Sequence, residues 1–452
     1  MRPVPSSTPL DARLSFWMLA ALLAVLWIAG GASRADASGQ VIVRLAAWII
    51  LVIYILVTPK FEWRAIRMPA VLLGAGVIIV ALQLVPLPPA VWTQLPGRDV
   101  LIQAAVVAGE TEQPWRPLSI SPGATDNALN SLVVPTVTLV LLANLTRRQH
   151  WQVAALLIAL MFASAVYGLL QFSGARIDHP LLNDVRGMVS GSFANRNHLA
   201  LFLAAGCALA PAWALKDEGI HWKTLAGIGL LVFFALMILG TGSRGGMLVG
   251  ATAIAVTLLS VGGRVYRLLA RLPRKYAIGL GVSTAASFIG IITLSIVLDR
   301  ARSIKRFENL SAQDDLRSQI APVVADIIPR YSPAGSGFGA FDPVFRISEP
   351  DHLLMFKYVN HAHNDWLEIV LDGGLAGAML IAASLAWIVW RSLIAWKRPD
   401  GRDTLLARTG SILLLLFGMA SFVDYPARTP MIMSLVVIAA VWLSFEPQKA
   451  TS

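Results

Sequence analysis

The chain of 452 residues is 56% hydrophobic and only 14% charged, against about a quarter charged in an ordinary soluble domain. Mostly apolar runs of about 17 residues or more recur from end to end, which is what crossing a bilayer core requires. A soluble enzyme, a secreted disulfide scaffold and a disordered chain are thereby excluded, and the chain reads as a polytopic membrane protein. The net charge of +11 would suggest nucleic acid in a soluble protein. Here it is read through topology, and no nucleic-acid partner is expected. The single cysteine, Cys207, lies inside the apolar run Leu199–Leu215. It excludes an intrachain disulfide and reads as a packing residue.

In chain order, hydropathy predicts an all-α bundle of about twelve spans. They fall at roughly 14–31, 41–58, 69–86, 127–145, 151–171, 198–215, 224–240, 247–262, 276–298, 365–390, 407–422 and 430–445. Arg2 and Arg13 precede the first run, and Ala35-Asp36-Ala37 resembles a cleavage site. The length of the run and the spans that follow it favour a retained helix over a signal peptide. With the N-terminus inside, Lys60/Arg64/Arg67, Arg147/Arg148, Arg264/Arg267/Arg271/Arg274/Lys275 and Arg391/Lys397/Arg398/Arg402 all fall on one side. Basic short loops face the cytoplasm, so both termini are expected there. The longest polar stretch, 299–364, then lies outside between the ninth and tenth spans. Within it, Leu316, Ile320, Val323, Val324 and Ile327 recur at helical spacing over Asp314–Pro329, predicting an amphipathic helix on the membrane surface or roofing the bundle. Residues 1–189 are read as an N-terminal membrane unit, 190–390 as the core and 391–452 as a C-terminal pair of spans.

Charges at the outside ends of spans are costly to bury and need partners, and four clusters stand out. In Ser192-Phe193-Ala194-Asn195-Arg196-Asn197-His198, Asn195 or Asn197 can cap the helix. Arg196 then stands at a helix start, where a cation either contacts lipid phosphate or shares an anion with the macrodipole. Thr241-Gly242-Ser243-Arg244-Gly245-Gly246 combines exposed N–H groups with a guanidinium. It is either a Gly-rich re-entry turn or an anion site. Arg317 sits on the amphipathic segment beside Asp314 and Asp315, as a surface ion pair or a third cation. The fourth cluster, Asn360-His361-Ala362-His363-Asn364-Asp365-Trp366-Leu367-Glu368 with Asp372-Gly373-Gly374 and Gly377, places Asp365, Glu368 and Asp372 on one helical face. Those acids must point inward. Two His residues two apart share no helical face and make a poor metal pair, so one His acting as general base beside a carboxylate, or a simple helix-start His, fits better.

Taken together, these residues resemble the bacterial O-antigen ligase and O-antigen polymerase superfamily over roughly residues 190–380. The resemblance rests on His363-Asn364-x-x-Leu367-Glu368 followed by Gly374-x-x-Gly377, on Ser243-Arg244-Gly245 before a span, and on the strip Gly335-Ser336-Gly337-Phe338-Gly339-Ala340-Phe341 after an Arg-bearing amphipathic segment. Asp372 stands where many relatives have Glu. The resemblance implies a Gram-negative inner-membrane glycosyltransferase whose active site faces the periplasm. It would take a glycan from undecaprenyl diphosphate and pass it to a lipid-linked repeat unit, as a polymerase, or to the lipid A-core, as a ligase, with the polymerase favoured. Arg244, Arg317 and Arg196 would bind the diphosphate. His363 would accept the acceptor proton, with Glu368 or Asp365 orienting its ring. An inverting transfer without metal or other cofactor is expected. The alternative class is a flippase or transporter of lipid-linked oligosaccharide, which needs ionisable groups along a path near the midplane.

Overall fold

The computed structural model describes residues 9–58, 62–110, 112–175, 179–183, 187–217, 221–270, 319–354 and 359–446, with positions 279, 282 and 290 between them. The expected span 276–298, Arg317 and the first part of the amphipathic segment lie outside the described residues. The helices are α1 Pro9–Ala29, α2 Ser38–Val57, α3 Arg67–Leu82, α4 Asp99–Val107, α5 Pro122–Ser131, α6 Val133–Ala143, α7 Arg147–Phe172, α8 Arg196–Ala214, α9 Trp222–Thr241 and α10 Arg244–Ala270. They continue with α11 over 319–331, α12 Phe341–Ser348, α13 Asp365–Lys397, α14 Arg402–Ala420 and α15 Pro430–Leu443. Among the described residues, nine helical stretches are long and apolar enough to cross a membrane, and α3 and α15 are shorter apolar helices. The protein is an all-α polytopic bundle, as the hydropathy predicts.

The expected span 127–145 corresponds to one candidate crossing, Pro122–Ala143, with a single-residue turn inside it. Pro135 cannot donate to the carbonyl of Ser131, and the run breaks at Leu132 between α5 and α6. The centre of the bundle is α8, which is apolar all round and enclosed almost completely, as such a helix must be. Its alanines and Gly206 admit close neighbours: a Cβ on Gly206 would lie 2.7 Å from the Phe234 ring of α9. In lipid, such van der Waals packing of small residues replaces the hydrophobic drive as the main source of helix association. By contrast α2 exposes Val41, Leu45, Trp48, Ile49 and Val52, the face expected towards lipid.

The two ends of the bundle differ in charge. At one end Arg264 and Arg267 grip Asp400 at 3.1 and 2.7 Å, and Arg391 donates to the carbonyl of Ser444 and to Glu446. The other end holds the turns before α8, α10, α13 and α15. There the amphipathic expectation is realised: Ile320, Val324 and Ile327 of α11 are buried with Phe341, Val344 and Phe345 of α12 and Leu371 of α13, forming a roof.

That roof is tied to a break in α13. Gly374 has φ 57° and ψ −143°, a conformation essentially reserved for glycine. Leu375 N–H therefore donates to Pro333 O instead of the carbonyl one turn back. The released carbonyl of Leu371 accepts from Ser336 N–H, and that of Asp372 from Gly337 N–H. Gln83 at the end of α3 clamps the same joint, donating to Asp372 O and accepting from Phe338 N–H. Arg98, buried in the loop before α4, donates to the carbonyls of Gly335, Leu118 and Pro96. With only neutral carbonyls as acceptors, burial lowers its pKa to about 10. A Cβ on Gly374 would lie 2.2 Å from Pro333 O. Gly374→Ala is expected to destabilise the fold by about 2–3 kcal/mol or more, read as an earlier loss of the monodisperse detergent-solubilised protein on heating. An unchanged thermal profile would contradict this account of the joint.

Candidate active site

Asn364 caps α13, accepting from Leu367 N–H at 3.1 Å, which turns the first acids of the helix inward. Asp365, Glu368 and Asp372 are 2%, 0% and 0% exposed, so all three need partners. Asp365 accepts from the hydroxyl of Ser421 and the N–H of Ala427, both at 3.1 Å. Glu368 takes His361 Nδ1 at 3.0 Å and Ala362 N–H at 2.9 Å. Asp372 accepts from the Ser336 hydroxyl and Gly339 N–H, so the glycine strip grips the side chain as well as the backbone of that residue.

The counter-charge comes from a residue the sequence reading did not single out. Arg428, in the 3-10 turn Pro426–Arg428 before α15, places Nη2 at 2.6 Å from Glu368 Oε1 and 4.0 Å from Asp372 Oδ2. Burial works against its charge, but Glu368, Asp372 and Asp365 outweigh burial and raise its pKa. For His361 burial prevails over the attraction of Glu368 and lowers the pKa below the ordinary histidine value. Its imidazole is therefore neutral near pH 7.

His363 is arranged differently. It is the single non-glycine residue with positive φ, at 50°, among those described. Its Nδ1 is buried without a hydrogen-bond partner among the described residues, and Asp424 Oδ1 lies 3.9 Å away. Neither Glu368 nor Asp365 takes the place beside this ring that the sequence reading gave them: Glu368 bonds His361, Asp365 bonds Ser421 and Ala427, and Asp424 is the carboxylate next to His363. Asp424 is held in place by Asn195 and Asn197, whose amides donate to Oδ2 at 3.1 and 2.6 Å, and by Tyr425 N–H on Oδ1 at 2.9 Å. The Tyr425 ring packs 4.9 Å from His363 and 4.6 Å from His361.

The two arginine-bearing turns converge on the same place. Asn195 caps α8, accepting from Asn197 N–H. Ser243 accepts from Gly246 N–H at the start of α10 and donates to Asn197 Oδ1 at 2.7 Å. Arg196 and Arg244 thus stand at neighbouring helix starts, Arg196 half-buried and Arg244 exposed. Val423, next to Asp424, packs beside Gly245. Arg317 lies outside the described residues. The short turn between α14 and α15 therefore meets the other parts of the site: Asp424 lies beside His363 and accepts from Asn195 and Asn197, the neighbours of Arg196, Arg428 pairs with Glu368, and Ser421 and Ala427 donate to Asp365. The sequence signal for this turn is an acid and a cation, Asp424 and Arg428, between two apolar runs.

Chemically, the site pairs an imidazole beside a carboxylate with cations at two helix starts. The first can take a proton and the second can receive an anion. No group of three His, Cys, Asp or Glu side chains among the described residues is placed to hold a metal ion. No curated protein compared with the chain matches it. Residues 229–382 match the O-antigen ligase family, a stretch that includes Ser243-Arg244-Gly245, the glycine strip, His363, Glu368 and the α13 break. Over residues 229–382 the chain is thus similar to the O-antigen ligase family, which supports the resemblance to the O-antigen ligase and polymerase superfamily.

Proposed function

We propose that the chain is an inner-membrane glycosyltransferase of surface-polysaccharide assembly, moving a glycan from undecaprenyl diphosphate to an acceptor sugar hydroxyl. The observation that carries this reading is His363 beside Asp424, whose other oxygen is held by Asn195 and Asn197 at the helix start that bears Arg196, with Ser243 of the Arg244 turn donating to Asn197. With Nδ1–H towards Asp424, the His363 ring leaves Nε2 to take the acceptor proton as the hydroxyl oxygen attacks the anomeric carbon. The bond from that carbon to the diphosphate oxygen breaks, the electron pair leaves with the diphosphate, and configuration inverts. Arg244, Arg196 and Arg317 receive the developing negative charge. Asp365 and Glu368 hold the floor of the site through Ser421, His361 and Arg428.

The basic end of the bundle, with Arg264, Arg267, Arg391 and Arg398, favours a cytoplasmic placement by the positive-inside tendency. The site and its roof then face the periplasm. Transfer is favoured over flipping because the buried carboxylates of α13 lie in its first two turns, at one end and not along a midplane path. The expected polymerase is separated from a ligase by a deletion strain. Single-unit chains mean a polymerase, and uncapped core with accumulated lipid-linked polymer means a ligase.

Purified protein with lipid-linked glycan and acceptor is expected to work in excess EDTA. Loss restored by one divalent metal would overturn the assignment of the charge to arginines. Arg244→Gln is expected to raise the donor KM by about 10- to 100-fold, the range set by losing a charge-assisted hydrogen bond. An unchanged donor KM would remove Arg244 from diphosphate binding.

A further inference from the structure

The transfer just described leaves one buried imidazole without a role. His198, in the first turn of α8, is 1% exposed. Its Nε2 lies 3.9 Å from Asp424 Oδ1, the oxygen that is also 3.9 Å from His363 Nδ1. Its Nδ1 lies 3.0 Å from Thr429 Oγ1. These neighbours decide the tautomer. A lone pair on Nε2 aimed at a carboxylate is repulsive, so Nε2 carries the proton and the Thr429 hydroxyl donates to Nδ1. Asp424 Oδ1 thus has two imidazole nitrogens at 3.9 Å, just beyond hydrogen-bond reach, and accepts from the Tyr425 amide at 2.9 Å. Tyr425 closes the group, its ring 5.7 Å from that of His198.

We propose that His198 is a positioning residue for glycan transfer, acting through the carboxylate of Asp424 that it shares with His363. The inference rests on the reading of His363 as the base. Asn195 and Asn197 fix Oδ2, and His198 fixes where Oδ1 can point. By drawing on the charge of that oxygen, His198 also sets how strongly Asp424 supports the imidazolium formed on His363. The 3.9 Å separations shorten when the filled site excludes water, as catalytic hydrogen bonds commonly do. The charged and titratable groups facing His198 are Asp424 and Tyr425 from the turn after α14 and His363 from the segment before α13. Arg196 two residues before it on its own helix and Arg244 next to Ser243, which donates to Asn197, are the nearest arginines in sequence to these contacts. His198 gives up no proton during transfer, which passes from the acceptor hydroxyl to His363.

The test uses the full chain in lipid nanodiscs with lipid-linked glycan and acceptor, measuring kcat, both KM values and the pH profile. His198→Leu is expected to lower kcat about 10-fold, a fraction of what a general base supplies, with both KM values unchanged. The pH profile of transfer should change as well, because Asp424 then has His363 as its one imidazole neighbour among the described residues. His198→Gln keeps an N–H donor and should restore most of kcat. Thr429→Val leaves the ring in place but frees its tautomer, and should lose kcat in the same direction, by about 3-fold. Wild-type kcat and pH profile in His198→Leu overturn the proposal. So do equal losses in the Leu and Gln variants accompanied by changed KM values and thermal stability, which mean a packing role alone. If His198→Leu does not fold, a folded Thr429→Val with the wild-type profile overturns it. A wild-type protein inert towards donor and acceptor overturns the transfer reading itself, which is a distinguishable failure.

Discussion

Replacing His363 with asparagine is expected to lower kcat by about three orders of magnitude, the mid-range contribution of a general base, in a protein that still folds. Asparagine is the chosen substitute because position 363 has φ 50°. Asn tolerates that region better than most residues, whereas a β-branched side chain there would be a genuine outlier. The same change at His361 should act in the opposite proportion. His361 bonds the fully buried Glu368, so its loss leaves a carboxylate with one partner fewer and costs stability first. His361 also has a depressed pKa. A base held neutral contributes stability that is present above its ordinary pKa and is lost as pH falls through the lowered value. Acid should therefore loosen the floor of the site only below the ordinary histidine range. Thermal unfolding and transfer rates for the two Asn variants, side by side, identify the base. Full activity in folded His363→Asn would remove that residue from the chemistry.

The spans were legible because lipid leaves the backbone few options. Each crossing must be a helix whose own bonds satisfy its polar groups, so apolar length alone locates it. The span 127–145 stands as the candidate crossing Pro122–Ala143, and hydropathy is silent only on the turn at Leu132 inside it, because a proline in an apolar stretch does not change its hydropathy. Where the sequence misled, the cause was local. Gly373, Gly374 and Gly377 read as residues for close helix packing. Gly374 instead supplies a backbone conformation that lets the strip from Gly335 dock on the broken helix, and composition does not separate the two uses of glycine. The three acids of α13 were rightly turned inward by their spacing. Which carboxylate meets which histidine depends on the left-handed turn at His363, a feature with no periodic signature. Asp424 and Arg428 escaped notice because their turn is short and its neighbours are apolar. They reach the site only through the packing of α14 and α15 beside α8 and α13, and that arrangement is not encoded in any single span.

Arg428→Met is expected to be the most damaging single change to stability, costing about 3–5 kcal/mol. The side chain volume is nearly kept, so the loss is electrostatic. Glu368 loses a 2.6 Å ion pair and Asp372 a guanidinium 4.0 Å away, while Asp365 stays buried a turn away. Carboxylates in that state must take up protons, draw in water or push the turn 421–428 outward, and each route loosens the floor beneath His361 and His363. Adding Glu368→Gln to Arg428→Met should recover a large part of the loss, because removing both partners of a buried pair costs less than removing one. The double-mutant cycle is expected to show a coupling of about 1–3 kcal/mol, measured as folded fraction against temperature in detergent. Additive losses would mean that Arg428 serves some neighbour other than Glu368. Activity then separates two roles for the guanidinium. If it only neutralises the acids of α13, the double variant regains transfer together with stability. If it also meets the departing diphosphate, stability returns while kcat stays low, since glutamine relieves the buried charge but supplies no cation to the reaction.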